Sequence, residues 1–219
     1  MTKDLPEKAA ILQRDKETYG IAPQIPGGIV SPDTLRKIAD VAEKYNAAAI
    51  KLTSAQRMAI VGLKEDDLDN IWADLDMKPA AAIGLCVRSV KICPGTTFCK
   101  RCQQDAVGLG LKLDEIYNGM ELPSKLKMGV SGCMNSCSEP AIKDIGIMGT
   151  PKGYTLMVGG TAGLKPRLAD VVAEELSEDE VLDAVDNIIS YYKTHTKKQR
   201  LGKMIDEIGL DKFKEEVGL

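Results

Sequence analysis

The sequence predicts an α+β protein built in two parts, and three observations carry that reading. The first 80 or so residues run strand, helix, strand, strand, helix, an order that suggests a small unit with its helices against one face of a sheet. The character of the chain changes after Lys78-Pro79, which sets expected domains of residues 1–80 and 81–219. The composition, 44% hydrophobic and 28% charged over 219 residues, is that of a chain with a buried core and excludes a disordered or fibrous one.

Residues 1–20 are a polar lead-in, either a mobile arm or a segment packed across the body. Ile25-Pro26-Gly27-Gly28 is a turn signal. Ser31-Pro32 then opens a helix, with Ser as N-cap and Pro at the first helical position. Leu35, Ile38, Ala39, Ala42 and Tyr45 recur at three- and four-residue spacing and form its expected buried face. Residues 48–53 and 58–63 read as strands, and 66–75 as a short helix with Leu68, Ile71, Trp72 and Leu75 inward. In the second part, 83–92 is strand-like, a helix is expected over 97–108, and 125–130 is a strand. Residues 145–148 and 154–158 pair around the turn Thr150-Pro151-Lys152-Gly153. Ser177 and Glu180 form a capping box for a helix over 177–192 with Val181, Ala184, Val185, Ile188 and Ile189 on its apolar face, and two short helical pieces follow.

Several function classes fall away. Aromatic residues are 4% of the chain and the net charge is −3, so neither base stacking nor a global cationic field points to nucleic acid. No apolar run approaches the roughly 18 residues of a membrane span. The stretch from Met1 to Arg14 has no apolar core of the secretory kind, so a cytoplasmic location is expected. In that reducing setting, grouped cysteines point to metal ligands or catalytic thiols rather than disulfides. The single histidine, His195, lies in a polar helix end and reads as a solvated surface residue.

Six cysteines are present, at 86, 93, 99, 102, 133 and 137. Cys93-x5-Cys99, 33 residues, then Cys133-x3-Cys137 offers four thiolates in two pairs, beside Pro94-Gly95 and after Gly129 and Gly132. Such glycines let backbone amides approach sulfur closely, as iron–sulfur clusters require. Cys99-x2-Cys102 with Cys133-x3-Cys137 is also a passable structural zinc site. A third reading makes Cys86, in a strand, and Cys102, on a helix, ordinary buried thiols. Charge favours the cluster. Between Met77 and Gln104 there is no acidic residue but five basic ones, Lys78, Arg88, Lys91, Lys100 and Arg101. Around the second pair, Lys125, Lys127 and Lys143 face only Glu139. A structural zinc site needs no such field, whereas a polyanionic cofactor or an anionic substrate does.

Together these residues resemble the sulfite and nitrite reductases that carry sirohaem joined to a [4Fe–4S] cluster. The resemblance rests on the four-cysteine pattern and on Gly129-Val130-Ser131-Gly132-Cys133-Met134-Asn135-Ser136-Cys137. It rests also on Ile25-Pro26-Gly27-Gly28, Ile50-Lys51-Leu52-Thr53-Ser54-Ala55-Gln56-Arg57, and Gly159-Gly160 after the hairpin. It runs from about residue 20 to about residue 165. Larger members contain the unit twice; this chain contains it once and is similar to the small assimilatory-type enzymes of anaerobes.

The resemblance implies a ferredoxin-like half-domain followed by an α/β domain that binds sirohaem and the [4Fe–4S] cluster. It implies that Cys93, Cys99, Cys133 and Cys137 hold the cluster and that Cys137 is also the axial ligand of sirohaem iron. Family arginines that clasp sirohaem carboxylates fall near Lys51 and Ala55 here, with Gln56 and Arg57 alongside, so the resemblance implies Lys51, Thr53, Gln56 and Arg57 in that role without those arginines. Arg88, Lys125 and Lys127 fall where it binds the substrate anion, sulfite or nitrite, for six-electron reduction. A further family arginine has no counterpart here, its place falling at or near Ala22. No Gly-x-Gly-x-x-Gly dinucleotide fingerprint is present, which implies a separate electron donor such as a ferredoxin. A cluster-only electron carrier is the non-catalytic alternative.

Overall fold

The polar lead-in packs rather than swings. In the computed structural model, which describes residues 3–219, Ile11–Leu12 form β1 and Tyr19–Ile21 form β2, and Leu5 and Ala10 are buried in the core beside them. The first two residues of the expected lead-in lie outside the described residues. The chain divides into two units, one ending at Gly84 and one beginning at Leu85.

In the first unit, the turn after β2 is a short 3-10 segment, Pro26–Gly28, whose Gly27 and Gly28 have φ of 62° and 70°. Those angles lie in the left-handed region that residues with a Cβ avoid, which explains the glycine pair. Helix α1, Pro32–Lys44, is capped by Ser31, whose Oγ accepts the Thr34 N–H at 3.1 Å. Its buried face is Ile38, Val41 and Ala42; the expected Leu35 and Ala39 face solvent. Inward positions start only where the helix passes over the sheet, and Val41 rather than Ala39 continues the i, i+3, i+4 pattern from Ile38. Strands β3, Ala49–Leu52, and β4, Met58–Leu63, complete an antiparallel sheet of order β1-β2-β4-β3. Helix α2, Leu68–Leu75, closes it with Leu68, Ile71 and Leu75 buried, and Trp72 Nε1–H donates to the Lys8 carbonyl at 2.8 Å.

The second unit departs further from expectation. Of the strand-like 83–92, only Lys91–Ile92 form a strand, β5; Cys86 and Val87 make isolated bridges to Glu121 and Leu126. Arg88 and Cys86 therefore lie outside a strand. The helix expected over 97–108 is a single turn, α3 (Gly95–Phe98), and Cys102 sits in a non-helical link after it. The long helix is α4, Ala106–Tyr117, capped by Asp105, whose Oδ1 accepts the Val107 and Gly108 N–H groups. Gly108 and Gly110 hide this helix from a propensity reading. Gly110 is there for packing, since a Cβ would stand 2.6 Å from Ile92 Cγ1.

Strand β6 is Met128–Ser131, starting three residues later than expected, so Lys125 and Lys127 lie just before it. The hairpin is β7, Ile145–Thr150, with β8, Gly153–Val158; β9, Asp170–Leu176, is an additional strand. Sheet order is β5-β6-β7-β8-β9, parallel from β5 to β7 and antiparallel from β7 to β9. Helix α5, Glu178–Lys193, carries the capping box on Ser177 and Glu180. It buries Val181, Val185, Ile188, Ile189 and Tyr192 in one core with Leu109, Leu113 and residues of α6 (Leu201–Ile208) and α7 (Leu210–Val217).

Candidate metal and anion site

Parallel pairing places the two cysteine segments together. Ile92 of β5 pairs with Val130 of β6, so both strands deliver their carboxyl ends, and the loops that follow, to one edge of the sheet. Cys93 is buried directly after β5, and its N–H donates to the Val130 carbonyl at 3.0 Å. Its Sγ accepts the Gly132 N–H at 3.2 Å and the Gly95 N–H at 3.4 Å. Gly132 leaves no room for a side chain, because a Cβ would lie 2.2 Å from Cys102 Sγ and 2.4 Å from the Gln104 carbonyl. Its own carbonyl accepts the Gln103 and Gln104 N–H groups at 2.8 and 3.0 Å. The two loops are thus stitched through Gly132.

Burial pushes the Cys102 thiol up to about 12, with Cys93 next in effect and Cys133 and Cys99 adding to it. Cys102, which the cluster reading leaves out, packs inside this group. Cys137 is exposed, four residues along the loop that carries Cys133. Among the described residues, no three His, Cys, Asp or Glu side chains converge closely enough to hold a single metal ion. A [4Fe–4S] cube makes a different demand, since each thiolate meets its own iron. The thiol-rich, amide-lined edge fits that group.

The loop carrying Cys133 and Cys137 is held at its base. Ser131 and Ser138, both buried, share a hydrogen bond at 2.7 Å, and Ser131 Oγ accepts the Ser138 N–H at 3.0 Å. Glu139 Oε2 lies 3.1 Å from both Lys91 and Lys143 Nζ. These cations, Lys143 first, hold the Glu139 carboxyl below the usual range.

Arg88, Lys125 and Lys127 are brought together by backbone pairing. Leu126 N–H donates to the Cys86 carbonyl at 3.1 Å, and Arg88 N–H donates to the Leu126 carbonyl at 2.8 Å. Val87 and Leu126 are fully buried. In extended chain, side chains alternate, so Arg88, Lys125 and Lys127 stand on the face opposite them. Among the described residues, neither Lys125 nor Lys127 has a carboxylate within 4 Å. Partial burial, then Arg200 and Lys125, hold the Lys127 ammonium below its ordinary value.

Two buried aspartates behind these cations escaped the sequence reading. Asp114 of α4 accepts the Val90 N–H at 2.9 Å. Asp144 accepts the Lys127 N–H at 2.7 Å and a two-pronged bond from Arg200. Burial pushes the Asp144 carboxyl up, against the pull of Arg200. Asp144 corrects the expectation that Lys125, Lys127 and Lys143 face only Glu139. In sequence, only a carboxylate beside a lysine, Lys143-Asp144, was visible.

In the first unit, Lys51 is exposed on β3, and the β3–β4 turn gathers Thr53, Gln56 and Arg57. Thr53 Oγ1 accepts the Arg57 N–H at 3.1 Å, and Arg57 Nη2 donates to the Ala81 carbonyl at 3.1 Å. His195 is partly exposed, with Nε2 3.2 Å from Gln199 Nε2. No helix among the described residues is long and apolar enough to cross a membrane.

The nitrite/sulfite reductase ferredoxin-like half domain matches residues 11–78, and the nitrite and sulphite reductase 4Fe-4S domain matches residues 83–219. The chain is 41% identical to an assimilatory-type sulfite reductase of Nitratidesulfovibrio vulgaris, over 96% of this chain and 97% of that one. It is 38% identical to a nitrite reductase [NAD(P)H] of Bacillus subtilis over 92% of its own length but only 25% of the relative's. It is likewise 36% identical to the large subunit of a nitrite reductase (NADH) of Escherichia coli over 94% of its own length and 25% of the relative's. The fold is shared with dissimilatory sulfite reductase I at a TM-score of 0.82 and 16% identity, covering 92% of this chain and 69% of that one. It is also shared with the NirA protein of Mycobacterium tuberculosis at a TM-score of 0.79 and 22% identity, covering 91% and 39%. A ferredoxin-like half-domain, a thiol cluster on amide-lined loops and two family matches that span nearly its whole length make this chain a member of the nitrite and sulphite reductase family, an oxidoreductase with a [4Fe–4S] domain.

Proposed function

We propose that this protein reduces sulfite to sulfide, a six-electron reduction with several protons taken up, on a sirohaem joined to a [4Fe–4S] cluster. The observation that carries the reading is the backbone bonding of Leu126 between Cys86 and Arg88. It sets Arg88, Lys125 and Lys127 on one face, with both lysines free of carboxylate partners among the described residues. When bound, the paired cofactors supply electrons one at a time at the face where substrate sits.

Cys93, Cys99, Cys133 and Cys137 would hold the cluster, and Cys137 would also be the residue nearest sirohaem iron. The amides of Gly95 and Gly132 stabilise the charge on Cys93. Lys51 and Arg57 of the first unit, with Thr53 and Gln56, would offset cofactor carboxylate charge that is costly to hold unpaired. Arg88 and Lys125 bind and orient the oxyanion, and their charge counts for more as negative charge builds on departing oxygen. Lys127, whose ammonium is held below its ordinary value, is suited to giving up a proton to the substrate. The reaction runs in the cytoplasm with electrons from a separate protein such as a ferredoxin.

The test is a reduced-viologen assay with sulfite and nitrite in parallel on anaerobically purified protein. A higher kcat/KM for sulfite is expected, and a higher value for nitrite would transfer the reading to nitrite reduction to ammonia. Lys125→Met and Lys127→Met keep the stem and delete the charge. Each is expected to lower turnover by about tenfold or more, roughly 1.4 kcal/mol of transition-state stabilisation, with iron content unchanged. Turnover at the wild-type level in both variants would remove the anion site.

A further inference from the structure

Lys127 stands where it does because of a buried carboxylate that belongs to none of the expected site residues. Asp144 is 1% exposed. Its Oδ2 accepts the Lys127 N–H at 2.7 Å, and Ile145 N–H donates to the Lys127 carbonyl at 3.2 Å, so both backbone groups of Lys127 are tied to the Asp144–Ile145 step. Arg200 grips the same carboxylate from the far side, Nε to Oδ1 at 2.8 Å and Nη2 to Oδ2 at 2.6 Å. Arg200 is itself fixed. It is the N-cap of α6, and the residue before it, Gln199, accepts the buried Tyr192 hydroxyl of α5 through its carbonyl at 2.5 Å. A rigid line thus runs from α5 through Arg200 and Asp144 to the Lys127 backbone.

Such a pair is a poor device for stability alone. Two charges taken out of water gain little over apolar residues of the same volume. The planar guanidinium does offer direction, because a two-pronged bond fixes the angle as well as the distance of a carboxylate. Lys127 lies just before β6, and its N–H is held by the Asp144 carboxylate rather than by a neighbouring strand.

We infer that the buried Asp144–Arg200 pair is a positioning device that sets the Lys127 ammonium over the substrate anion, sustaining turnover without touching substrate. The inference rests on the proposed role of Lys127. Misplacing a reacting group by about 1 Å costs up to about a hundredfold in rate, so loosening this line is expected to be visible in kcat.

The experiment is a mutant cycle on the cofactor-loaded protein. Asp144→Leu with Arg200→Met removes both charges together and leaves no buried charge unpaired. It is combined with Lys127→Met, and sulfite turnover is measured in all four proteins. Removing the pair is expected to lower kcat by about tenfold in the wild-type background and by less than about twofold once Lys127 is Met, the signature of two groups acting through one. Amide hydrogen exchange supplies a readout independent of activity: protection of the Lys127 N–H is expected to fall at least tenfold, while β7 and β8 stay protected.

Equal losses in both backgrounds, or unchanged protection at Lys127, would overturn the inference while leaving the anion site intact. Wild-type turnover in Lys127→Met alone would remove the role of Lys127 and the inference with it, whereas the anion site falls only if Lys125→Met also turns over at the wild-type level. If the double variant does not fold, Asp144→Asn, which keeps shape and one acceptor oxygen, is run through the same cycle with the same criteria.

Discussion

Backbone amides hold the first cysteine loop, whereas side chains hold the second. After β5, Cys93 is buried and its sulfur receives the Gly95 and Gly132 N–H groups. After β6, the segment from Cys133 to Cys137 is tied by its flanks, through the Ser131–Ser138 bond on one side and the Lys91–Glu139–Lys143 triad on the other. The difference teaches where the site is tunable. Amide contacts survive any side-chain exchange that preserves the backbone, so the N–H bonds to the Cys93 sulfur change only through its own replacement or that of the glycines. The second loop can be loosened one side chain at a time without touching a thiol.

Three changes break or sharpen that contrast. The largest effect is expected from Cys137→Ser. An alcohol oxygen is poorly matched to cluster iron, and turnover is expected to vanish even where some iron remains, as a viologen-linked assay on the purified variant checks. Cys86→Ser is the control outside the thiol group; activity lost equally in both would erase the distinction between the loops.

A middle effect is expected from Ser138→Ala, which leaves the Ser131 hydroxyl without its buried side-chain partner. A lost buried hydrogen bond costs about 1–3 kcal/mol, so the melting temperature should fall by several degrees, and the cluster should be lost faster in air. An unchanged melt would mean the Ser138 backbone N–H alone holds the loop.

The smallest effect is expected from Glu139→Gln and is confined to acid pH. The Glu139 carboxyl is held below its ordinary value by Lys143 and Lys91. A depressed native value contributes stability that is fully present above the unfolded value, about 4.3, and is lost as pH falls through the native one. Melting temperature against pH should therefore fall less steeply below about pH 4.3 in the Gln variant than in wild type. Parallel curves would show that the triad lends the loop nothing.

Much of the fold was legible because its signals are local. The Ser31 cap, the Gly27-Gly28 turn, the hairpin over 145–158 and the Ser177–Glu180 capping box each lie within a few residues and hold as read. The spacing of the cysteines is likewise local, written in the chain itself. What was lost is long-range. Residues 83–92 are apolar enough for a strand, but only Lys91 and Ile92 find a neighbour with which to form one. Helix α4 was disguised by Gly108 and Gly110, whose use depends on Asp105 and on Ile92 packing against them. Asp144 and Arg200 lie 56 residues apart, and nothing in either's neighbourhood announces the other.

The account turns on which thiols carry the cluster, and Cys93 and Cys102, packed against each other, separate the readings most sharply. Iron and acid-labile sulfide per chain, measured after anaerobic purification of Cys93→Ser and Cys102→Ser, decide the matter. Cluster content is expected to collapse in Cys93→Ser and to stay near the wild-type level in Cys102→Ser. An intact cluster in Cys93→Ser, or a collapse confined to Cys102→Ser, would contradict it.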